Sequence, residues 1–375
     1  MTDTGAAATS WWGDLPRHFR RFATTDCRVG APLYARLASA AADAPDVLAL
    51  LEVAAPDQRR AVLLFAAVHD LVLAEPDLAP ARWYPSIEPD PDRRPEGDPW
   101  PPFRRLCADR ADDLRSTIAG RVTQTNEIGR SLAIAAALGL VAAEAAQPLA
   151  VVEVGASAGL NLVFDRYGLG YGDGPVIGDP ASPVQLRARI HGPIPVPVPA
   201  AMPTVAARIG LDRAPVDLTD PRAVRWLEAC VFPDRLDRLA RLRAAVALAA
   251  ADPPPVLTGD AVHDLERAVA AVPTEAPLCV VHSWALTYVA DRDGFVDRVR
   301  GIAARRPVWW VSVEPPRTVP ALAVPPRDPS ITPEMAGNTV TALVRVEGDE
   351  RRDRVLAWSH PHLDWIAWID EAARR

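Results

Sequence analysis

Around residue 150 the chain sets one carboxylate and two glycines in a spacing suited to ligand binding. Val151-Val152-Glu153-Val154-Gly155-Ala156-Ser157-Ala158-Gly159-Leu160-Asn161-Leu162 reads as a buried strand, a turn of small residues and an amphipathic helix. Glycine at 155 and 159 removes side chains where a ligand must approach the backbone. Free N–H groups at a helix start can then receive a polar ligand. Glu153 lies among apolar residues, where an unpaired carboxylate is costly, so a partner is expected for it.

Other residues offer chemistry downstream and upstream of this turn. His282, at the carboxyl end of an apolar run, has the side chain of a general base, or of a satisfied core histidine. Trp284 and Tyr288 follow it as pocket lining or as core. Gln124, Asn126, Glu127 and Arg130 open the helix before the turn, either facing a ligand or forming a capped, solvated start with an i,i+3 ion pair. Asp260 and Asp212 each suit a helix cap or a turn. Glu314 reads as a loop carboxylate or polar pocket lining, and His69 as structural. His360 and His362 are the closest histidine pair, and no third metal ligand stands near them, so no metal site is expected. The residues Gly155-Ala-Ser157-Ala-Gly159 also satisfy G-x-S-x-G, the nucleophile elbow of an α/β-hydrolase, with Asp260 and His282 or His360 following in the order Ser, Asp, His. Two features oppose a serine esterase acting through Ser157. The region before residue 149 reads as helical, with no strand to carry an oxyanion loop, and Glu153 has no role in such a strand.

Composition excludes several classes. None of the 41 basic residues is lysine, which removes Schiff-base, P-loop and protein-kinase chemistry. A net charge of -7 gives a nucleic-acid footprint no general support. Cys27, Cys107, Cys230 and Cys279 are too far apart for a C-x-x-C motif. Residues 1–15 lack the basic start and apolar run of a signal peptide, and no uninterrupted apolar stretch reaches about 18 residues. The expectation is a cytoplasmic protein with reduced thiols, acting on a small molecule rather than at a membrane.

The elements that must position these groups fall into two blocks. At 375 residues with 49% hydrophobic content, the chain suits about two domains. Residues 1–147 read as a helical domain, with helices at 32–42, 45–55, 59–74, 107–120 and 126–146. Residues 148–375 alternate strands with helices, the pattern of parallel βαβ units. The strands are expected at 149–154, 205–211, 255–257, 278–282 and 308–313, and the helices at 223–251, 262–272 and 294–305. An antiparallel hairpin is expected from 339–346 and 354–359, then a final helix from about 362. Alternation at 184–190 before a Pro-rich run suggests a β insertion at about 171–204.

The second block resembles the class I S-adenosylmethionine (SAM)-dependent methyltransferases. The resemblance rests on Glu153-Val-Gly155-Ala-Ser157-Ala-Gly159, with Ser157 in place of the family's middle glycine, and on the order of the later strands. It implies a Rossmann-like, seven-stranded sheet with SAM across its carboxyl edge. Glu153, Gly155, Ser157, Gly159, Asp212 and Asp260 would hold SAM, with Asp212 at the ribose hydroxyls and Asp260 at the adenine amino group. His282 would be the base. Gln124, Asn126, Glu127, Arg130, Trp284 and Tyr288 would meet the substrate. A non-catalytic SAM- or nucleotide-binding protein would use the same fold. Over the full chain, Gln124-Thr-Asn126-Glu127-x-x-Arg130, the 153–162 segment, Trp226-Leu, Pro233-Asp234, Arg238, His282-Ser283 and His360-Pro-His-Leu-Asp-Trp365 resemble an uncharacterised bacterial family, domain-of-unknown-function family 2332.

Overall fold

The computed structural model describes residues 5–28, 30–199, 201–325 and 339–370. Helices α1 (Gly5–Thr24), α2 (Pro32–Ala41), α3 (Pro45–Leu48), α4 (Ala61–Ala74), α5 (Trp100–Asp109), α6 (Ala111–Gly120) and α7 (Ser131–Ala145) come before any strand. Next are β1 (Leu149–Val154), β2 (Gly168–Tyr171), β3 (Val176–Gly178), β4 (Gln185–His191) and β5 (Val205–Asp212). After α8 (Pro221–Ala229) and α9 (Leu236–Ala250) the chain alternates through β6 (Val256–Thr258), α10 (Leu265–Val269), β7 (Leu278–Ser283), α11 (Arg292–Ala303) and β8 (Val308–Glu314). It closes with β9 (Thr339–Glu347), β10 (Glu350–Ser359) and β11 (Trp365–Trp368).

The chain divides into two units. One comprises Met1–Thr125 with Thr219–Arg243, the other Asn126–Leu218 with Ala244–Arg375. The boundary expected at 147 is therefore corrected twice, and burial explains both changes. Helix α7 is apolar on every side, as a helix enclosed by its own fold must be, and it packs on β4, β8 and β9. Conversely, Trp226 and Ala229 are buried in the core of the first unit, with Phe232 packed against it. In that core Tyr34 stacks on Phe65 at 4.8 Å, and Phe232 lies 5.3 Å from Tyr34 and 5.7 Å from Phe22. The expected helix at 223–251 is two helices, because Pro233 lacks the N–H that an interior turn needs. The one expected at 107–120 likewise breaks between α5 and α6 at Arg110.

In the second unit, eleven strands among the described residues form a mostly parallel sheet in the order β3-β2-β4-β11-β10-β9-β8-β7-β1-β5-β6. The block β6-β5-β1-β7-β8 is parallel throughout. The chain moves outward from β1 to β5 and β6, then returns to the other side of β1 for β7 and β8. That reversal is a topological switch point between β1 and β7, and open α/β sheets bind ligands outside the carboxyl ends of their strands at such points. Strands β1, β7 and β8 are buried along their whole length, which accounts for their continuous apolar sequence. Strand β10 is antiparallel to β9, and β9 to β8, so β10 also ends on the carboxyl edge.

Two expectations are changed here. Among the described residues the sheet has eleven strands rather than seven, the added four being β2, β3 and β4 of the insertion and β11, and the final helix expected from 362 is β11 as far as Trp368; residues 371–375 lie outside the described residues. Trp365-Ile-Ala-Trp368 is buried throughout, paired with β10 on one side and β4 on the other. A short, fully buried strand has no period to separate it from a helix. The β insertion begins at Gly168 and joins the same sheet through β4 and β11, with Leu186 and Ala188 buried between exposed Gln185, Arg187 and Arg189. The segment 128–145 is long and apolar enough to cross a membrane, but most of it is buried inside the unit, which accounts for its composition.

Candidate functional site at the carboxyl edge of the sheet

The loop after β1 makes three left-handed turns, at Gly155 (φ 74°), Ser157 (φ 53°) and Gly159 (φ 71°). The glycines are demanded by packing as well as by φ. A β-carbon at 155 would lie 2.3 Å from Ala285 Cβ, and one at 159 would lie 2.6 Å from Pro254 Cγ. The expected amphipathic helix beyond the loop is a buried 3-10 segment, Leu160–Arg166, with a non-helical break at Val163. So short a segment supplies no helix-terminus ligand site, and the loop itself must do the binding.

Asp212, at the end of β5, reaches across to this loop. Its Oδ2 accepts the Ser157 N–H at 2.8 Å, and its Oδ1 accepts the Ala214 N–H at 2.8 Å. Asp260, after β6, uses Oδ1 to accept N–H groups from Val262 (2.8 Å) and His263 (3.2 Å), which closes a turn rather than capping a helix, since α10 begins only at Leu265 with Asp264 at its N-cap. Desolvation would raise its carboxyl, but those hydrogen bonds and His263 outweigh it and hold the group below the usual range. Each carboxylate oxygen keeps lone-pair capacity for another donor.

Glu153 is the buried acid of the site, 2% exposed. The Asn161 side chain bonds to it and in turn accepts from Ser131 Oγ at 2.8 Å. Its Oε2 has no partner. Burial pushes its carboxyl up to about 8, with Asn161 opposing the shift and Asp212 adding to it. Sequence reasoning expected a partner for Glu153 but did not pick out Asn161 or Ser131. Both lay in view as polar residues within apolar segments.

His282 is fully buried, and both ring nitrogens are occupied. Trp310 Nε1–H donates to Nε2 at 2.7 Å, which makes Nδ1 the protonated nitrogen, and Nδ1 donates to Glu314 Oε1 at 2.8 Å. Glu314 also accepts the N–H groups of Ala285 and Leu286 at 2.8 Å. The trio ties the ends of β7 and β8 together. The expected base thus offers no nitrogen to a substrate, and Glu314, 1% exposed, is no loop carboxylate. Its burial was legible only as the last residue of the apolar run Val-Trp-Trp-Val-Ser-Val-Glu.

Glu127 and Arg130 are 3% and 4% exposed, not a solvated helix start. Arg130 donates through Nη1 to the Ser283 carbonyl (3.2 Å) and through Nε to the Pro361 carbonyl (3.1 Å), and its guanidinium lies 5.5 Å from the Trp284 ring centre. Trp284 holds a left-handed φ of 51° and donates Nε1–H to Thr339 at 3.1 Å. Such a φ is unusual for a bulky residue and worth noting at a strand end. Asn126 precedes this cluster. Tyr288 is 53% exposed and builds neither core nor enclosed pocket. Gln124 belongs to the other unit, where its backbone bonds to Cys230. Two open depressions border the β2–β4 insertion, lined by residues such as Ile177 and Met202 or Arg187, His191 and Asp364, and none of the residues above lines either.

The family model described as "Uncharacterized protein conserved in bacteria (DUF2332)" matches residues 16–368. Among functionally curated proteins, none matches the chain.

Proposed function

This chain belongs to the DUF2332 family, and we propose that it binds SAM at the carboxyl edge of β1, β5 and β6 and acts as a SAM-dependent methyltransferase on a small molecule. The observation that carries the reading is the Asp212–Ser157 bond of 2.8 Å. A loop that cradles a pyrophosphate offers its N–H groups to the anion. Here a carboxylate already takes the central N–H, with the Asp260 carboxylate following after the neighbouring strand β6. A phosphate would meet negative charge, whereas a sulfonium cation carrying hydroxyl and amino hydrogens would meet acceptors. The doubly wound strand order and the switch between β1 and β7 support a Rossmann-like reading of the sheet.

When bound, SAM supplies a methyl group on a positively charged sulfur, already activated for transfer. The chain's part is to bind, orient and exclude water, and positioning alone can account for much of such a rate. Asp212 and Asp260 accept ligand hydrogens, Glu153 holds a buried acceptor beneath the loop, and Gly155 and Gly159 keep the loop close to Ala285 and Pro254. His282 braces the strand ends and takes no proton. The serine-esterase alternative has less support. No strand precedes β1 among the described residues, and the Ser157 N–H faces a carboxylate where an oxyanion would need donors.

Titration calorimetry with SAM and S-adenosylhomocysteine tests the reading directly. Binding is expected, with NAD and ATP giving none, and Asp212→Ala is expected to weaken it. Absence of heat with millimolar SAM, or tighter binding of a dinucleotide, sinks it. Covalent labelling of wild type by a fluorophosphonate that disappears in Ser157→Gly would establish the esterase instead.

A further inference from the structure

Glu153 stands just before the Gly155 turn, on the strand next to the one that ends in Asp212. Its carboxyl is enclosed, its Oε2 meets no donor, and no arginine or histidine forms an ion pair with it among the described residues. We propose that Glu153 carries a proton in the free protein and gives it up when SAM binds, so that the site tells SAM from S-adenosylhomocysteine by the charge on sulfur. This deepens the SAM-binding reading above and rests on it.

The groups that face Glu153 decide where its proton sits. Asn161, on the 3-10 segment Leu160–Arg166, bonds to it, and Ser131 of α7 orients that amide by donating Oγ–H to its Oδ1 at 2.8 Å. A neutral amide eases a buried carboxylate without balancing its charge. From β5, Asp212 brings a like charge, and both of its oxygens already accept backbone N–H groups, at Ser157 and Ala214. Arg130, just before α7, opposes this as the smallest of these influences, its guanidinium bonded to the Ser283 and Pro361 carbonyls. The Tyr167 phenol lies within reach of the Glu153 charge, and its hydroxyl is committed to the Leu160 carbonyl at 2.7 Å. Gly210 and Val281, in register with Glu153 on β5 and β7, do not ionise. His282, and Glu314 with it, belongs to the other face of the sheet, where His282 packs on Phe295 and Trp310 in the cluster that holds Val152 and Val154. Burial and Asp212 thus both favour the protonated acid.

A cation brought to the Asp212 side of the loop reverses this balance. Its field weakens the hold of Glu153 on the proton without touching the carboxyl. SAM and S-adenosylhomocysteine share their ammonium, carboxylate, ribose and adenine groups, and SAM alone carries a positive sulfur. The coupling is reciprocal: SAM expels the Glu153 proton, and loss of that proton tightens SAM. On methyl transfer the electron pair of the broken S–CH3 bond stays on sulfur, and the acceptor sheds one proton. Glu153 then takes one proton back. Over a cycle one proton leaves Glu153, one leaves the acceptor and one returns to Glu153, so the net release is the acceptor's own. The product is left beside a neutral acid and loses the attraction that held SAM.

Infrared difference spectra and proton counting on the full chain test this without a known acceptor. At pH 6.5 the free wild type should show the C=O stretch of a protonated carboxylic acid that is missing from Glu153→Gln. SAM should abolish that band, and S-adenosylhomocysteine should leave it. Calorimetry at pH 7 in buffers of different ionisation enthalpy should find about one proton released on SAM binding, and none with S-adenosylhomocysteine or in Glu153→Gln. Between pH 6 and pH 7 the SAM Kd should fall about tenfold in wild type and less than about twofold in Glu153→Gln. A buried acid with a purely structural role would keep its band with either ligand bound. SAM binding with no proton released, or with the same release from Glu153→Gln, overturns the proposal and leaves the SAM reading standing. If Glu153→Gln does not fold, the wild-type band with and without SAM decides. A wild type that binds neither ligand overturns the SAM reading itself, and this proposal with it.

Discussion

In the helical unit His69 is fully buried, with Nδ1 on the Ala229 carbonyl at 3.1 Å and Nε2 on Ser86 Oγ at 2.8 Å. At the sheet edge of the other unit Glu153 is equally enclosed, yet its Oε2 meets no donor. Each group is pushed towards its neutral form, His69 down to about 4 and Glu153 up to about 8, in both cases mainly by burial. The difference lies in what surrounds them. His69 has neutral partners at both nitrogens, the condition of a packed core. Glu153 keeps a buried oxygen without a partner, near Asp212 and a left-handed loop.

The largest expected effect is the pH dependence of the sheet unit. Glu153 is raised above its unfolded value, so its contribution to stability is present at low pH and is lost as pH rises from about 4.5 to about 8. The loss over that window is on the order of 4 kcal/mol. Denaturant titrations at pH 5 and pH 8 should show it in wild type and a flat response in Glu153→Gln. If SAM binds through this carboxyl, the ligand should reduce the alkaline loss as well. Equal slopes in both proteins would mean that Glu153 titrates normally and that the contrast with His69 is unfounded.

Trp226→Ala comes next, at about 3–5 kcal/mol. Trp226 is 2% exposed in the helical core and donates Nε1–H to the Val122 carbonyl at 2.9 Å. The loss should appear in the melting of the helical unit and leave the Glu153 slope unchanged. A loss below about 1 kcal/mol would contradict the assignment of 219–243 to that unit.

His69 gives the opposite pH sign. Its folded value is depressed, so the unfolded chain binds the extra proton, and stability is lost as pH falls from about 6.5 to about 4. The loss is on the order of 3 kcal/mol. An acid titration of wild type against His69→Gln, in the helical unit's transition, checks it, and an acid loss that survives the substitution would assign it elsewhere.

Asp260→Ala is the smallest, about 0.5–1.5 kcal/mol for lost turn hydrogen bonds. The geometry already gives Asp260 a turn-closing role towards Val262 and His263. The informative comparison is between melting temperature and SAM affinity. A shift in melting with no change in affinity would confine Asp260 to its turn.

Periodicity and turn chemistry determined much of this protein before any contact was known. The apolar runs of β1, β7 and β8, the Gly155 and Gly159 positions and the βα alternation follow from local rules, because a buried parallel strand and a left-handed turn each restrict residue type over a few positions. The Glu153 reading was legible for the same reason, since a carboxylate in an apolar run demands an account. What joined residues far apart was decided only in three dimensions. Nothing local assigns residues 219–243 to the helical core, or makes Trp365–Trp368 a strand between β10 and β4. Nor does anything local show that Trp310 and Glu314 close off His282 while Glu127 meets His362. Local sequence limits φ and burial at each position; which distant donor faces which acceptor is settled by packing, where every buried polar group must find its partner among all the segments brought together.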